Sequence, residues 1–415
     1  MSDQRENTIL YLQKILQRHE TPEFPLTHAF EKMLGLTVCR HAVSLKTVIE
    51  PFLSKPISSK QSLLQTILLT ATAEIFFMES PTYAIINSYV NLAKKHVGKS
   101  CGGFINAVLH KIANNKTSLL ASYRQQMFPD SFLEILKQDY SDGIIKKIAQ
   151  AAYGQPPLNL TTKNNINNWA VHLHAKKTNK YTLTVPANGK IEDLKGYAQG
   201  AWWVQDTAAA LAVPQFGNLK GKRILDLCAA PGGKTAQLLS SGAVVTSLDS
   251  SSQRLDTLKQ NLFRLNLAPE NIICADALEY LKNFSQEPFD GILLDAPCSA
   301  TGIFRRHPEI IHLKTVTDVQ TQADLQKQIL TKISNALKIG GELIYCTCSI
   351  AHKEGEEQIS HFIKNNKNFE ISPLNNPEEP QTITPQGFIR TLPFHYHDSG
   401  GCDAFFIAKL TKKSN

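Results

Sequence analysis

Two cysteines, Cys298 and Cys348, each stand inside a short run that suits covalent chemistry: Asp295-Ala296-Pro297-Cys298-Ser299-Ala300-Thr301-Gly302 and Tyr345-Cys346-Thr347-Cys348-Ser349. A thiol becomes a strong nucleophile near neutral pH with modest help from its surroundings. Upstream lies Leu225-Asp226-Leu227-Cys228-Ala229-Ala230-Pro231-Gly232-Gly233-Lys234, an apolar strand running into a glycine turn of the kind that receives a cofactor. Two thiols beside such a turn point to covalent catalysis rather than packing.

The elements that must hold these groups begin near residue 219. Short apolar runs at 224–227, 244–248, 272–275, 292–294 and 343–346 alternate with helical patterns such as 235–239 and 253–265. Strands joined by helical crossovers predict a parallel, doubly wound sheet, and two late runs, 387–392 and 404–410, predict an antiparallel edge. Such sheets bind ligands at the carboxyl ends of their strands, near the switch in strand order, which is where the glycine turn falls. Gly232 and Gly233 permit close backbone approach, and the helix start after them offers N–H groups to an anion such as a carboxylate. The turn is neither a dinucleotide fingerprint, which needs G-x-G-x-x-G, nor a Walker loop, which needs glycine where Cys228 stands. The first three strands end in Asp226, Asp249 and Asp276, a set that suits ribose hydroxyls and an adenine edge, although any one alone would serve as a helix N-cap. Asp295 and Cys298 close the fourth strand and Cys348 the fifth, so neighbouring strand ends bring both thiols to one rim.

The remainder bounds the setting. A chain of 415 residues, 42% hydrophobic and 19% charged, predicts a multidomain globular protein. Residues 1–130 read as helix after helix, an all-α domain; 131–215 as a small α+β module; 216–415 as the α/β domain with the chemistry. The net charge of +8 is uneven: +5 over 1–130, +3 over 131–215 and zero over 216–415. A neutral catalytic domain behind basic modules suits a polyanionic partner. The polar opening is unlike a signal peptide, and the most apolar run, 67–78, contains Glu74 and is too short to span a bilayer, so a cytoplasmic protein with no membrane partner is expected. Eight cysteines are too few for a disulfide framework, and their spacing predicts no metal site. Cys39, Cys101, Cys274 and Cys402 read as packing residues, with Cys228 and Cys346 lining the site.

With these motifs in order, the chain resembles the S-adenosylmethionine-dependent RNA cytosine-C5 methyltransferases of the Nol1/Nop2/Sun family over roughly residues 200–410. Gly200-Ala201-Trp202-Trp203-Val204-Gln205-Asp206 and Arg305-Arg306-His307-Pro308 fit the same pattern; Gly291 and Ala404 depart from it. The resemblance implies a Rossmann-like class I methyltransferase domain. It makes Cys348 the nucleophile toward C6 of cytosine, Cys298 the group assisting release, and Asp295 the support for the ring at N3/N4. Lys234 would lower a thiol pKa or steady an anion. S-adenosylmethionine is expected on Cys228, Ala229, Ala230, Pro231, Gly232, Gly233 and Lys234, with Asp249, Asp276 and Asp295. Glu74-Ile75-Phe76-Phe77, Pro81, Ile86-Asn87-Ser88-Tyr89-Val90, Ala93-Lys94 and Gly103-Phe104-Ile105-Asn106-Ala107-Val108-Leu109 resemble the NusB-type RNA-binding domain. Pro156-Pro157-Leu158 resembles the start of the family's RNA-binding module, where Thr161-Thr162-Lys163 replaces the usual polar-basic stretch. A NusB-like domain ahead of the catalytic part is similar to the bacterial Sun/Fmu type, which implies a cytosine in 16S ribosomal RNA as substrate; separately, a monomeric protein is expected. The rival readings are the same chemistry on tRNA, and an inactive RNA-binding ribosome-assembly factor.

Overall fold

The structure, a computed structural model, describes residues 2–121, 123, 127–186 and 189–414. The chain forms two compact units, one of Met1–Ile135 with Arg306–Thr315, the other of Leu136–Arg305 with Val316–Asn415.

The first unit is helical. Helices Ser2–Gln13, Ala29–Ile49, Ser62–Phe77, Thr82–His96 and Cys101–Asn114 turn apolar faces onto one core, in which Leu12, Leu34, Val38, Leu68 and Tyr89 are fully buried. Glu31 fastens the start of Ala29–Ile49 by accepting from the Thr27 and His28 N–H groups. Glu74, the lone charge in the most apolar run, is completely buried against Arg5. Arg5 Nη2 and Nε donate to its two oxygens at 2.6 and 2.9 Å, and the Tyr89 hydroxyl donates at 2.9 Å. Removing one partner of a buried pair strands the other charge, so Glu74→Ala should lower unfolding stability by about 3–5 kcal/mol in denaturant melts. Residues 306–315 join this unit through His312, whose ring meets the Cys39 carbonyl oxygen at 2.8 Å and whose own carbonyl lies 2.8 Å from His19 Nδ1.

Among the described residues the second unit carries two sheets. The smaller contains β1 (Leu158–Thr162), β2 (Lys176–Lys177), β3 (Thr182–Val185) and β4 (Trp202–Val204) in the order β2-β3-β1-β4, all antiparallel. It closes over Leu160, Leu183, Val185 and Trp202. The larger contains β5 (Arg223–Leu227), β6 (Val244–Asp249), β7 (Asn271–Cys274), β8 (Phe289–Asp295), β9 (Leu337–Thr347), β10 (Phe369–Ile371), β11 (Ile389–Thr391) and β12 (Phe405–Lys412). Its order is β10-β12-β9-β8-β5-β6-β7, with β11 paired to β12. The run from β9 to β7 is parallel, and β12 is antiparallel to β9. Chain order runs outward from β5 to β7, then returns to place β8 on the other side of β5. That switch point opens a crevice at the strands' carboxyl ends. The strands are buried on both faces: Leu225, Ile292, Leu294, Leu343 and Tyr345 toward one helical layer, Ile224, Val245, Leu293 and Ile344 toward the other. Gly291 sits in this packing, where a Cβ would lie 2.8 Å from Ile224 Cδ1 and 3.0 Å from Phe216 Cε1, so the departure from the family pattern is sterically coherent with its neighbours.

Candidate active site

The adjacent strands β8 and β9 deliver the two thiols to one place. Asp295 pairs with Cys346 in the ladder, and the loops after them carry Cys298 and Cys348 with their sulfurs 3.4 Å apart. The loops interlock through backbone. Gly302 N–H donates to the Cys348 carbonyl at 2.8 Å, and Ala404 N–H to the Gly302 carbonyl at 3.0 Å. A Cβ at Gly302 would collide with both the Cys348 and Ala404 carbonyl oxygens, so only glycine fits there.

Lys234 reaches across from the helix Gly233–Ser240 and donates to Asp295 Oδ2 at 2.7 Å, its ammonium also lying 5.0 Å from the Phe405 ring centre. Burial works against that charge, but Asp295 and Cys346 outweigh it and hold Lys234 above the ordinary lysine value. Lys234 is thus committed to the carboxylate that the family resemblance sets beside the reacting ring. Cys346 adds a sulfur contact to Asp295 Oδ1 at 3.5 Å. Contact with Cys348, followed by burial, raises the Cys298 thiol well above the usual cysteine range, so Cys298 stays protonated at neutral pH.

Gly232 caps that helix at φ +102°, a left-handed conformation that favours glycine. Its turn is held from behind. Asp249 Oδ2 accepts the Ala230 N–H at 3.2 Å, Arg254 donates to the Ala230 carbonyl, and Asn261 Nδ2 donates to the Pro231 carbonyl at 2.9 Å. Asp276 caps the helix Ala277–Lys282, accepting from Glu279 N–H at 3.0 Å, so it does serve as an N-cap. It also lines a cavity of 430 Å³, walled by Cys228, Asp249, Arg254, Asp276, Asp295, Cys298 and Cys348. A neighbouring cavity of 360 Å³ is walled by Ala229, Ala230, Pro231, Gly232, Gly233 and Lys234 together with Trp203, Gln205 and Asp226. Asp295 belongs to both. The residues expected around one cofactor therefore occupy two cavities that meet at Asp295.

Asp226 accepts from Thr235 Oγ1 at 2.6 Å, yet burial pushes its carboxyl up to about 7. The folded state then keeps a proton that the unfolded chain releases near its ordinary value of 3.8. Stability from that proton is complete below the unfolded value and is lost as pH rises through the folded one. Asp226→Asn should accordingly flatten the decline of the thermal midpoint between about pH 4 and 7; parallel wild-type and variant profiles in calorimetry would count against this origin.

Sequence reasoning missed Arg254 and, more importantly, Glu354. The latter lies in the charged run Lys353-Glu354-Gly355-Glu356-Glu357, which reads as solvent-facing, yet it is completely buried behind the two thiol loops. Its sole local signal is its closeness in sequence to Cys348. Cys39 and Cys402 are buried as expected and Cys101 is half-buried, but Cys274 is exposed at the end of β7, the edge strand. Among the described residues no cluster of His, Cys, Asp and Glu could hold a metal ion, and no helix is long and apolar enough to cross a membrane.

The sheet order and the crevice at its switch point define a class I methyltransferase. Residues 216–411 match the 16S rRNA methyltransferase RsmB/F family, and residues 2–114 the NusB family. The chain is 33% identical over 359 residues to ribosomal RNA small subunit methyltransferase B of Vibrio cholerae, covering 82% of each protein. It is 32% identical over 394 residues to the protein of that name from Pasteurella multocida, covering 90% of this chain and 86% of the other. Its fold is similar to NSun6 from Pyrococcus horikoshii with SFG, at TM-score 0.59 and 18% identity over 69% of this chain and 99% of that one. A methyltransferase homologue from Pyrococcus horikoshii gives TM-score 0.54 and 25% identity over 68% and 99%. The chain belongs to the RsmB/F family of 16S rRNA methyltransferases, and its methyl donor is S-adenosylmethionine.

Proposed function

We propose that this chain methylates C5 of a cytosine in 16S ribosomal RNA through a covalent bond between Cys348 and C6. The observation that carries the reading is the pair of sulfurs 3.4 Å apart on a cavity wall shared with Asp295. C5 of cytosine is too weak a nucleophile to take a methyl group directly. Addition of the Cys348 thiolate at C6 makes C5 enamine-like, and Asp295, steadied by Lys234, supports the protonated ring at N3/N4. Bound S-adenosylmethionine supplies the methyl group as an electrophile. A general base takes the C5 proton, and the freed electron pair restores the C5–C6 double bond as the C6–S bond breaks and Cys348 leaves as a thiolate. Cys298 stays protonated while Cys348 attacks, so the two sulfurs do not carry charge together, and it assists the release step.

The residues present fit the donor. The 430 Å³ cavity is of ligand-binding size and presents Asp249 and Asp276 to a nucleoside end, while Cys228 and the glycine turn through Lys234 would hold the rest. Residues 1–130 and 131–215, with their positive excess, serve as the RNA-binding modules of a monomer. RNA affinity should then fall by about 10³-fold or more between roughly 50 and 200 mM salt in filter-binding assays; an affinity insensitive to salt would remove phosphate contacts from the account. Bisulfite mapping of rRNA and tRNA from cells lacking the gene tests the substrate. Loss of a single 16S C5 mark is expected. Loss of a tRNA mark would move the substrate, and no loss at all would favour an inactive assembly factor.

A further inference from the structure

Glu354 closes the short turn His352–Glu354 after β9 and is fully buried. Four donors converge on its carboxylate. Oε1 accepts Ser299 N–H at 2.8 Å and Gln326 Nε2 at 3.0 Å; Oε2 accepts the hydroxyls of Ser299 and Ser349, each at 2.5 Å. Ser299 directly follows Cys298, and Ser349 directly follows Cys348. Gln326 also donates to the Pro297 carbonyl at 2.9 Å, so this group grips the residues on both sides of Cys298. Thr301 Oγ1 lies 3.0 Å from each serine hydroxyl, closing the ring. The Glu354 backbone is fixed as well, its carbonyl accepting from Tyr345 OH at 2.8 Å. A carboxylate can accept about four hydrogen bonds in its plane, and here all are used. Glu354 itself does not line the cavity, whose walls include Pro297, Cys298 and Cys348.

We propose that Glu354 is a positioning residue for the two-thiol reaction: its carboxylate fastens the Cys298 loop to the Cys348 loop and thereby fixes the separation of the sulfurs. The inference rests on the covalent reading above for its catalytic consequence, but not for its geometry. Neutral hydrogen bonds would hold the loops less firmly than charge-assisted ones. Glu354→Gln preserves shape: its amide oxygen can still accept from Ser299 N–H and Gln326, while its NH₂ group faces the serine hydroxyls.

Two measurements on the full-length protein test this. The first needs no catalysis. Diamide oxidises two adjacent thiols to a disulfide and is itself reduced to the hydrazine, taking up both hydrogens; peptide mass mapping follows closure of the Cys298–Cys348 bond. The second is single-turnover methylation of 16S RNA with the S-adenosylmethionine KM measured alongside. In Glu354→Gln, disulfide closure should slow by about tenfold and methylation by about 100-fold, with cofactor KM within roughly twofold of wild type, as for misplaced reacting groups. Unchanged closure would overturn the proposal, whatever methylation does. So would losses accompanied by a collapsed thermal midpoint and a weakened cofactor KM, which mark general damage. If closure slows as expected but Cys348→Ala still methylates, the positioning role stands and the covalent reading falls.

Discussion

Cys348→Ala should abolish both methylation and any covalent RNA adduct, whereas Cys298→Ala should leave protein trapped on RNA. The asymmetry follows from what each sulfur does. Without Cys348 nothing adds to C6, C5 remains unreactive, and turnover should fall by a factor on the order of 10⁴ or more, as when a nucleophile is removed. Without Cys298, Cys348 still attacks and the methyl group is still transferred, but elimination stalls. In the presence of S-adenosylmethionine the complex should survive denaturing electrophoresis as a shifted band. Alanine at 298 also removes the neighbour that lies 3.4 Å from Cys348, leaving its other surroundings in place. An adduct in Cys348→Ala and none in Cys298→Ala would exchange the roles. No adduct in either would leave the covalent route without support.

Much of this site is legible in the amino-acid sequence because its parts lie at strand ends. A short apolar strand buried on both faces announces itself by composition, and the residue after it falls at the carboxyl edge. Asp249, Asp295 and Cys348 all follow that rule, and β5 to β9 put them on one edge. What the sequence hides is carried by contacts between distant segments. Glu354 meets Ser299 across 55 residues, and nothing in a charged run signals that its carboxylate turns inward. The split of the cofactor candidates between two cavities is equally hidden, since it depends on how Lys234 and Asp295 bridge the crevice. Membership of Arg306–Thr315 in the helical unit is also out of reach of sequence: its anchor, His312, has the pattern of an ordinary polar residue, yet its ring binds the Cys39 carbonyl.

Cofactor affinity should collapse in an Asp249→Ala/Asp276→Ala double variant. The two residues differ in what they hold, which makes the pair informative. Asp249 is nearly inaccessible and is already engaged, accepting from the N–H groups of Ala230 and Ser251. Its loss removes an acceptor from the cavity and also frees the glycine turn that faces the second cavity. Asp276 is exposed, and one oxygen is spent on capping a helix. A hydrogen bond to a charged group contributes about 1.5–3 kcal/mol, so two together should weaken binding by roughly 10²–10⁴-fold, measured by equilibrium dialysis with labelled S-adenosylmethionine. Asp276→Asn separates the two duties, because asparagine still caps a helix well but brings no charge to the cavity. If Asp276→Asn binds the donor as weakly as Asp276→Ala, the carboxylate acts on the ligand; if it binds like wild type, capping is its whole contribution. Equal binding by wild type and the double variant would remove both acids from the cofactor site and leave the glycine turn to hold the donor alone.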